Sequence, residues 1–260
     1  MAEINLNKVA SDKFRVLNPS FTTWAKRDKQ RNRSTSEIST IVLHWTAGST
    51  FKGAVDTLYS KNYGYHFIID TDGTAVQTDK LSKQVPHAGN SYGPEGNGVN
   101  KYSIGISIVA AGAGKINADQ IDSVNKLILD LLTDSEFNRQ TNTEGKGIKW
   151  LTGHHQISPG RKVDPYDFPF DETIKTLKAN GHDLTYWRAG MAPFPKGLSD
   201  CQCTDNAPVD VNGTKWCRSS KGICKGQGGY SYKLEKVSTT KADADKIIEI
   251  YGGVKDTESD

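Results

Sequence analysis

The feature that most constrains this chain is the fifteen-residue stretch 151–165, which gathers two imidazoles, an amine and a carboxylate around one turn. A short apolar run at 148–151 precedes the histidines and predicts a buried strand. His154 and His155 would therefore follow the end of that strand, where the backbone enters a loop. Sites on α/β sheets lie at such strand ends, so the stretch predicts a functional site at one edge of a sheet.

The second half of this stretch carries a cation and an anion at alternate positions. Lys162 and Asp164 follow the Pro159-Gly160 turn and are separated by one residue. In an extended backbone, residues two apart project to the same face. We therefore expect the amine and the carboxylate to point back toward the histidines.

The donor types of the stretch are those of a metal site. A zinc ion with one open position needs about three His, Asp, Glu or Cys ligands plus a water. The stretch offers a histidine and Asp164, and a third donor is His44, at the end of a β-branched and aliphatic run at 38–45. Alternatively, His44 is an ordinary core histidine and Lys162 pairs with Asp164 at the surface. The joint occurrence of these residues favours the metal site.

The elements before this stretch predict an α/β domain. A helix with a hydroxyl cap follows the first strand, and two strands meet across the Asp72-Gly73 turn. A strand at 102–109 then leads to a helix at 117–132, which begins with a capping box and carries one apolar face. That face would pack on the sheet.

Five short motifs follow one another along the chain. They are Ile-Val-Leu-His-Trp-Thr-Ala at 41–47, Tyr-His-Phe-Ile-Ile-Asp-Thr-Asp-Gly-Thr at 65–74, His-Ala-Gly-Asn-Ser at 87–91, Tyr-Ser-Ile-Gly-Ile at 102–106 and Gly-His-His-Gln-Ile-Ser-Pro-Gly-Arg-Lys-Val-Asp-Pro at 153–165. In this order they resemble the zinc-dependent type-2 N-acetylmuramoyl-L-alanine amidases. The resemblance implies a central mixed β-sheet flanked by helices, the fold shared with peptidoglycan recognition proteins. It also implies hydrolysis of the amide between N-acetylmuramic acid and L-alanine by a zinc-activated water.

The same resemblance assigns the metal ligands. It implies that His44, His154 and Asp164 hold one catalytic Zn²⁺. His154 is preferred over His155 because the matching motif has its Gly-His ten positions before the last ligand. Asp164 takes a place where some relatives carry cysteine.

Further roles come from the resemblance as well. Tyr65 and Lys162 match a catalytic pair that would stabilise the tetrahedral oxyanion. His87 and Asn90 lie in a Gly-rich loop that lines the substrate groove in the family, so they are candidates for muropeptide contacts; alternatively, they bond only their own loop backbone. Ser107 stands where many relatives carry a glutamate base. A hydroxyl cannot accept a proton at neutral pH, so this chain resembles the branch that relies on tyrosine and lysine.

Net charge and hydropathy limit the kinds of partner that this chain is expected to bind. A formal net charge of +3 would help contact with an anionic cell wall, but it is too small and too dispersed to indicate nucleic acid. No apolar run approaches the roughly 20 residues of a membrane span, and the N-terminus lacks the apolar region of a signal peptide. We therefore expect a protein made in the cytoplasm that reaches the bacterial cell wall after release or as part of a virion.

Composition divides the chain into three parts. Residues 1–35 are predicted to be a solvated N-terminal arm that contains a basic run at 26–33. Residues 36–180 would form the zinc amidase domain. Residues 181–260 would form a small module for cell-wall targeting or for docking onto a virion, below the size at which a core alone is comfortably stable.

The C-terminal module contains all the cysteines of the chain, which are Cys201, Cys203, Cys217 and Cys224. Their spacing does not match the paired C-x2-C knuckles of common zinc folds, although a second, structural zinc held by four thiolates stays open. The other interpretation is two disulfides. Because Cys201 and Cys203 are too close to bond to each other without strain, each would pair with a distal cysteine.

Two classes of function stay open at this point. The leading interpretation is a bacteriolytic enzyme, a phage endolysin or a virion-associated lysin, that acts on peptidoglycan. The alternative is a non-catalytic peptidoglycan-binding or structural virion module on the same fold. The joint presence of His44, His154, Asp164, Tyr65 and Lys162 favours catalysis.

Overall fold

The computed structural model describes residues 14–16, 31–133, 147–158 and 162–188, together with five short strands between 209 and 255. Within these residues the α-helices are α1 (Phe51–Lys61), α2 (Ala118–Thr133), α3 (His154–Ile157) and α4 (Phe170–Ala179). In chain order the strands are β1 (Phe14–Val16), β2 (Arg31–Asn32), β3 (Thr40–Trp45), β4 (Phe67–Ile69), β5 (Ala75–Gln77), β6 (Lys83–Gln84), β7 (Tyr92–Gly93), β8 (Gly96–Asn97), β9 (Ser103–Ile108), β10 (Trp150–Gly153), β11 (Thr185–Tyr186), β12 (Val209–Val211), β13 (Thr214–Trp216), β14 (Ile223–Lys225), β15 (Ser231–Lys233) and β16 (Val254–Lys255).

A seven-stranded sheet in the order β1-β5-β4-β9-β3-β10-β11 forms the centre of the domain. The β4–β5 hairpin is antiparallel, and the other neighbouring strands run parallel. The predicted mixed central sheet with flanking helices is therefore confirmed. The hairpin turns at Asp72-Gly73, as its sequence indicated, and Gly73 adopts a φ of 80°, which glycine tolerates without steric cost.

Strand β3 is covered on both faces, which explains its nearly continuous apolar sequence. Ile41 and Leu43 point to one face and join the main apolar core beneath α2 and α4. Val42 points to the opposite face, where it packs with Ala88 and other apolar side chains. Because side chains alternate along a strand, His44 shares the face of Val42 and lies away from the helix-covered core.

Helix α2 confirms the local signals of its sequence. Asn117 and Gln120 form the predicted capping box, in which each side chain accepts the backbone N–H of the other, at 2.9 and 3.1 Å. Its apolar face packs on the sheet through Val124, Leu127, Ile128 and Leu131, which are fully buried. Burial of such side chains contributes roughly 1.5–3 kcal/mol each, so this face holds the helix in place.

Arg33 ends the basic run that was predicted to be solvated, and the structure buries it. Its guanidinium donates to four backbone carbonyls, those of Leu81, Asn100, Lys101 and Ser103, at 2.7–3.3 Å. Burial is the main cause that lowers the pKa of Arg33 to about 9. The last residue of this run is therefore part of the domain and ties three loops to the start of β9.

The predicted C-terminal module lies largely outside the described residues. Its first described strand, β11, pairs with β10 in the central sheet, so the amidase domain continues past the predicted boundary at residue 180. The other described strands form a three-stranded sheet in the order β13-β12-β16 and a β14–β15 hairpin. Cys224 belongs to β14, whereas the other three cysteines fall outside the described residues. Among the described helices, none is both long enough and apolar enough to cross a membrane.

Candidate metal centre

Three chain segments meet at the carboxyl end of the parallel strands. His44 lies one residue before the end of β3, and the neighbouring β10 pairs with β3 as far as Gly153 opposite Leu43. His154 therefore begins α3 beside His44, at the predicted strand end. Asp164 is brought to the same place by the loop that follows α3, and its own backbone carbonyl accepts the N–H of His155 at 2.9 Å.

The side chains of these three residues converge on one point. The Nδ1 atoms of His44 and His154 are 3.0 Å apart, and Asp164 Oδ2 lies 3.3 Å from the first and 3.1 Å from the second. All three side chains are buried. The structure thus brings together the three residues that the sequence predicted as ligands, although they span 120 positions of the chain.

The triangle has the dimensions that a tetrahedral zinc ion requires. Zinc binds imidazole nitrogen and carboxylate oxygen at about 2.0–2.1 Å, which places neighbouring ligand atoms roughly 3.3 Å apart. The observed separations of 3.0–3.3 Å agree with that spacing. Two imidazoles and one carboxylate also form the type of donor set found in catalytic zinc sites, with one position left for water or substrate.

The charge state of the cluster suits a cation. Burial and the neighbouring His154 lower the pKa of His44 to about 4, so its imidazole is neutral at pH 7. Burial alone would raise the pKa of Asp164, but the two imidazoles beside its carboxyl group hold the pKa well below its usual range. At neutral pH the cluster therefore presents the neutral imidazole of His44 and the carboxylate of Asp164 to whatever occupies its centre.

Tyr65 and Lys162, the predicted catalytic pair, flank this centre. The rings of Tyr65 and His44 are 4.8 Å apart. Burial, and next the Asp164 carboxylate, raise the pKa of Tyr65, so its phenol keeps its proton and remains a donor. Lys162 is half-buried, and its ammonium is close enough to lower the pKa of His44. Both residues therefore lie near the cluster.

The two predicted muropeptide contacts occupy different environments. Asn90 is exposed at the loop surface, and its predicted role stays a prediction. His87 is only 7% exposed and lies directly behind His44, with its Nδ1 3.0 Å from His44 Nε2 and its Nε2 3.0 Å from Ser103 Oγ. Since both ring nitrogens contact protein atoms, this side chain supports His44 and is not placed to meet a substrate.

Three residues next to the predicted site residues are also buried. His155 points into the core, where its ring packs 5.9 Å from that of Phe170. His66 is fully buried and bonds the backbone. Ser107 pairs with His44 across β3 and β9 and is buried beside the Tyr65 phenol. No pattern in the sequence indicated a role for Ser103, whose hydroxyl contacts His87, 16 positions away along the chain.

Comparison with known proteins agrees with this geometry. The family model described as N-acetylmuramoyl-L-alanine amidase matches residues 34–167. A Rickettsia conorii protein named as an N-acetylmuramoyl-L-alanine amidase is 27% identical over 137 residues, which are 51% of this chain and 49% of the relative. The chain thus matches this curated relative over about half of the relative's length.

Two solved structures that the chain is similar to are named as an amidase and an endolysin. The amidase AmiD from E. coli, solved with anhydro-N-acetylmuramic acid-L-Ala-D-gamma-Glu-L-Lys, has a TM-score of 0.48 at 18% identity and 84% coverage of both chains. The endolysin LysCS from Clostridium intestinale has a TM-score of 0.47 at 22% identity, covering 65% of this chain and 98% of its own. Because the family model matches more than half of its residues, the chain belongs to the N-acetylmuramoyl-L-alanine amidase family.

Proposed function

We propose that this chain is a zinc-dependent peptidoglycan hydrolase that cleaves the amide between N-acetylmuramic acid and the L-alanine of the stem peptide. Membership of the family supports the reaction. We assign the catalytic unit to residues 36–180, which include all but the first two residues of the matched region 34–167. A phage endolysin or virion-associated lysin, with a targeting or docking module at 181–260, remains the biological role that we propose from the sequence.

One observation supports this function most strongly. Three acceptor atoms, from His44, His154 and Asp164, lie 3.0–3.3 Å from one another at a strand end. Burying three electron-rich atoms face to face is unfavourable without a cation between them. A zinc ion bound there would act as a Lewis acid, lowering the pKa of a bound water toward roughly 7 and polarising the amide carbonyl.

The protein side chains would do the rest of the chemistry. The Tyr65 phenol keeps its proton and can donate a hydrogen bond to the carbonyl oxygen as negative charge develops on it. The Lys162 ammonium, which is close enough to the cluster to lower the pKa of His44, would stabilise that charge electrostatically. The net reaction adds water across the amide and leaves a lactyl carboxylate on the sugar and a free amino group on L-alanine.

The proposal is tested with purified full-length protein and bacterial sacculi. We expect turbidity to fall, a chelator to stop the fall, and added Zn²⁺ to restore it. Mass analysis of the soluble products should show stem peptides with a free N-terminal L-alanine and no sugar. Sedimentation of the protein with sacculi without any released peptide would instead support the non-catalytic binding module.

A further inference from the structure

A line of buried hydrogen bonds lies behind the predicted metal ligand His44. His44 Nε2 is 3.0 Å from His87 Nδ1, and His87 Nε2 is 3.0 Å from Ser103 Oγ. The Ser103 hydroxyl continues to the carbonyl of Val99 at 2.6 Å. Each of the three side chains is buried, so solvent does not compete for these bonds.

The last contact fixes the direction of the whole line. A carbonyl oxygen can only accept, so the Ser103 hydroxyl must donate its proton to Val99. Ser103 Oγ then accepts from His87, which places the proton of a neutral His87 ring on Nε2 and leaves Nδ1 as an acceptor. His87 Nδ1 in turn accepts from His44 Nε2, so the Nδ1 of His44 carries the lone pair. That atom is the one that faces His154 and Asp164.

The opposite direction is disfavoured by the same contact. If His44 carried its proton on Nδ1, then Nε2 would need a proton from His87, and His87 would need one from Ser103. The Ser103 oxygen would then face the Val99 carbonyl at 2.6 Å with no proton between the two oxygens. Two buried oxygens that face each other without a proton are unfavourable, which selects the direction that leaves His44 Nδ1 bare.

Ala88, the residue next to His87, sets the tautomer of His154, the second predicted histidine ligand. The Ala88 carbonyl lies 3.1 Å from His154 Nε2 and can only accept, so this nitrogen carries the proton and His154 Nδ1 carries the lone pair. Asn100 Oδ1 holds this dipeptide by accepting the N–H groups of His87 and Ala88, at 3.1 and 2.8 Å. Two neighbouring residues thus set the tautomers of both histidines.

Strand β9 is shaped to hold the His87 ring. Ser103 and Gly105 are two positions apart and share one face of the strand. A Cβ atom at Gly105 would lie 2.6 Å from Cγ of the His87 ring, closer than such atoms approach. The Ser-Ile-Gly segment therefore supplies both the acceptor for His87 Nε2 and the space that the ring needs.

We propose that His87 is a positioning residue for the metal centre. Its ring, directed by the Ser103 hydroxyl, holds His44 in the tautomer whose Nδ1 carries no proton. The Ala88 carbonyl holds His154 in the same tautomer. The inference rests on the proposed function, because it assumes that these nitrogens bind zinc. Groups that orient a ligating histidine typically contribute 10–100-fold in metal affinity.

The test compares His87→Phe with His87→Asn in the full chain. Phenylalanine keeps the ring volume but removes the acceptor, whereas asparagine loses volume but keeps an acceptor near the place of Nδ1. We expect Phe to weaken Zn²⁺ affinity by about 10–100-fold and Asn to restore most of it, measured by competition with a chromophoric chelator. A purely packing role predicts the reverse order, with Phe tolerated and Asn harmful.

Controls separate this inference from the proposed function. Ser103→Ala removes the hydroxyl that directs His87 and should weaken zinc binding, whereas Ser39→Ala, which removes a buried hydroxyl bonded only to Thr40, should not. Urea unfolding of the metal-free variants measures packing losses independently. If the unmodified chain binds no zinc, the proposed function fails. If the unmodified chain binds zinc and the His87→Phe variant binds it equally tightly, this inference alone fails. The inference also fails alone if the His87→Asn variant binds zinc no better than His87→Phe.

Discussion

His66, one residue before β4, and His44, near the end of β3, are both fully buried, but their ring nitrogens have different partners. His66 accepts the N–H of Gly105 at Nδ1, and its Nε2 lies 3.0 Å from both the Lys83 carbonyl and the Arg33 guanidinium. His44 uses only Nε2 in this way, toward His87, and its Nδ1 faces the acceptors of His154 and Asp164. Backbone groups contact both ring nitrogens of His66, whereas Nδ1 of His44 faces the two other predicted metal ligands.

Burial and pKa do not distinguish these two histidines. Burial is the main cause that lowers the pKa of both His66 and His44. The two histidines differ in the partner of one ring nitrogen. Nε2 of His66 faces a backbone carbonyl, whereas Nδ1 of His44 faces a cluster of acceptors. A shifted pKa therefore indicates a buried histidine, and the hydrogen-bond partners indicate whether it is structural or functional.

The largest expected effect comes from removing the carboxylate of the cluster. Asp164→Ala takes away the negative charge and one of three ligand atoms, so Zn²⁺ affinity should fall by more than about 100-fold, the upper end of losses for supporting residues. Release of stem peptides should fall with it. Asp183→Ala, which changes a carboxylate whose side chain is 89% exposed, should leave both unchanged. Equal metal content in the two variants would contradict the assignment.

Lys162→Ala should separate chemistry from metal binding. Because its ammonium lies at the cluster without being a ligand, the variant should retain one zinc per chain and lose about 100-fold in kcat, the usual result of removing one oxyanion donor. Zinc content and peptide release are measured on the same preparation. Lys178→Ala, at an exposed helix position, is the control. An unchanged kcat would show that Lys162 has no catalytic role.

Much of this fold could be predicted from the sequence because its signals are local. The capping box of α2, the Asp72-Gly73 turn and the apolar run of β3 each fall within a few residues. The ligand set also became recognisable through its motif spacing. These features do not depend on where distant parts of the chain lie.

Contacts between distant residues could not be predicted in this way. Arg33 ends a basic run that looks solvated, yet it donates to Ser103, 70 positions away. His87 lies in a loop rich in turn residues, and nothing local shows that its ring packs on Gly105. Both outcomes depend on which loops the sheet brings together, and charge or turn patterns carry no information on that.

His66→Phe should sharpen the contrast from the structural side. The substitution keeps a ring of similar size but leaves the Gly105 N–H and the Lys83 carbonyl without their bonds. We expect the free energy of unfolding in urea to fall by about 2 kcal/mol, with Zn²⁺ affinity within a few-fold of the unmodified chain. His87→Phe should show the opposite balance, and a parallel loss of zinc in both variants would remove the distinction between the two sites.

Stability of the metal-free chain should depend on pH in a defined direction. Burial lowers the pKa of His44 and of His155 to about 4, whereas an unfolded histidine titrates near 6.5. Between these values the unfolded state binds more protons, so stability rises with pH, by up to about 1.4 kcal/mol per pH unit for each histidine. Urea unfolding in chelator at pH 4.5, 5.5 and 6.5 measures this slope, which His155→Gln should reduce; a flat profile would contradict it.

The smallest effect is expected at Ser107, which the register places opposite His44. Its hydroxyl is buried beside the Tyr65 phenol and has no hydrogen-bond partner of normal geometry among the described residues. A hydroxyl cannot take up a proton at neutral pH. Ser107→Ala should therefore change kcat by less than about 10-fold, whereas loss of a general base costs about 100- to 10,000-fold. A larger loss in peptide release at unchanged zinc content would mean that Ser107 orients Tyr65. Strand β9 would then orient a catalytic residue, Tyr65, through Ser107, just as it orients the ligand His44 through Ser103 and His87.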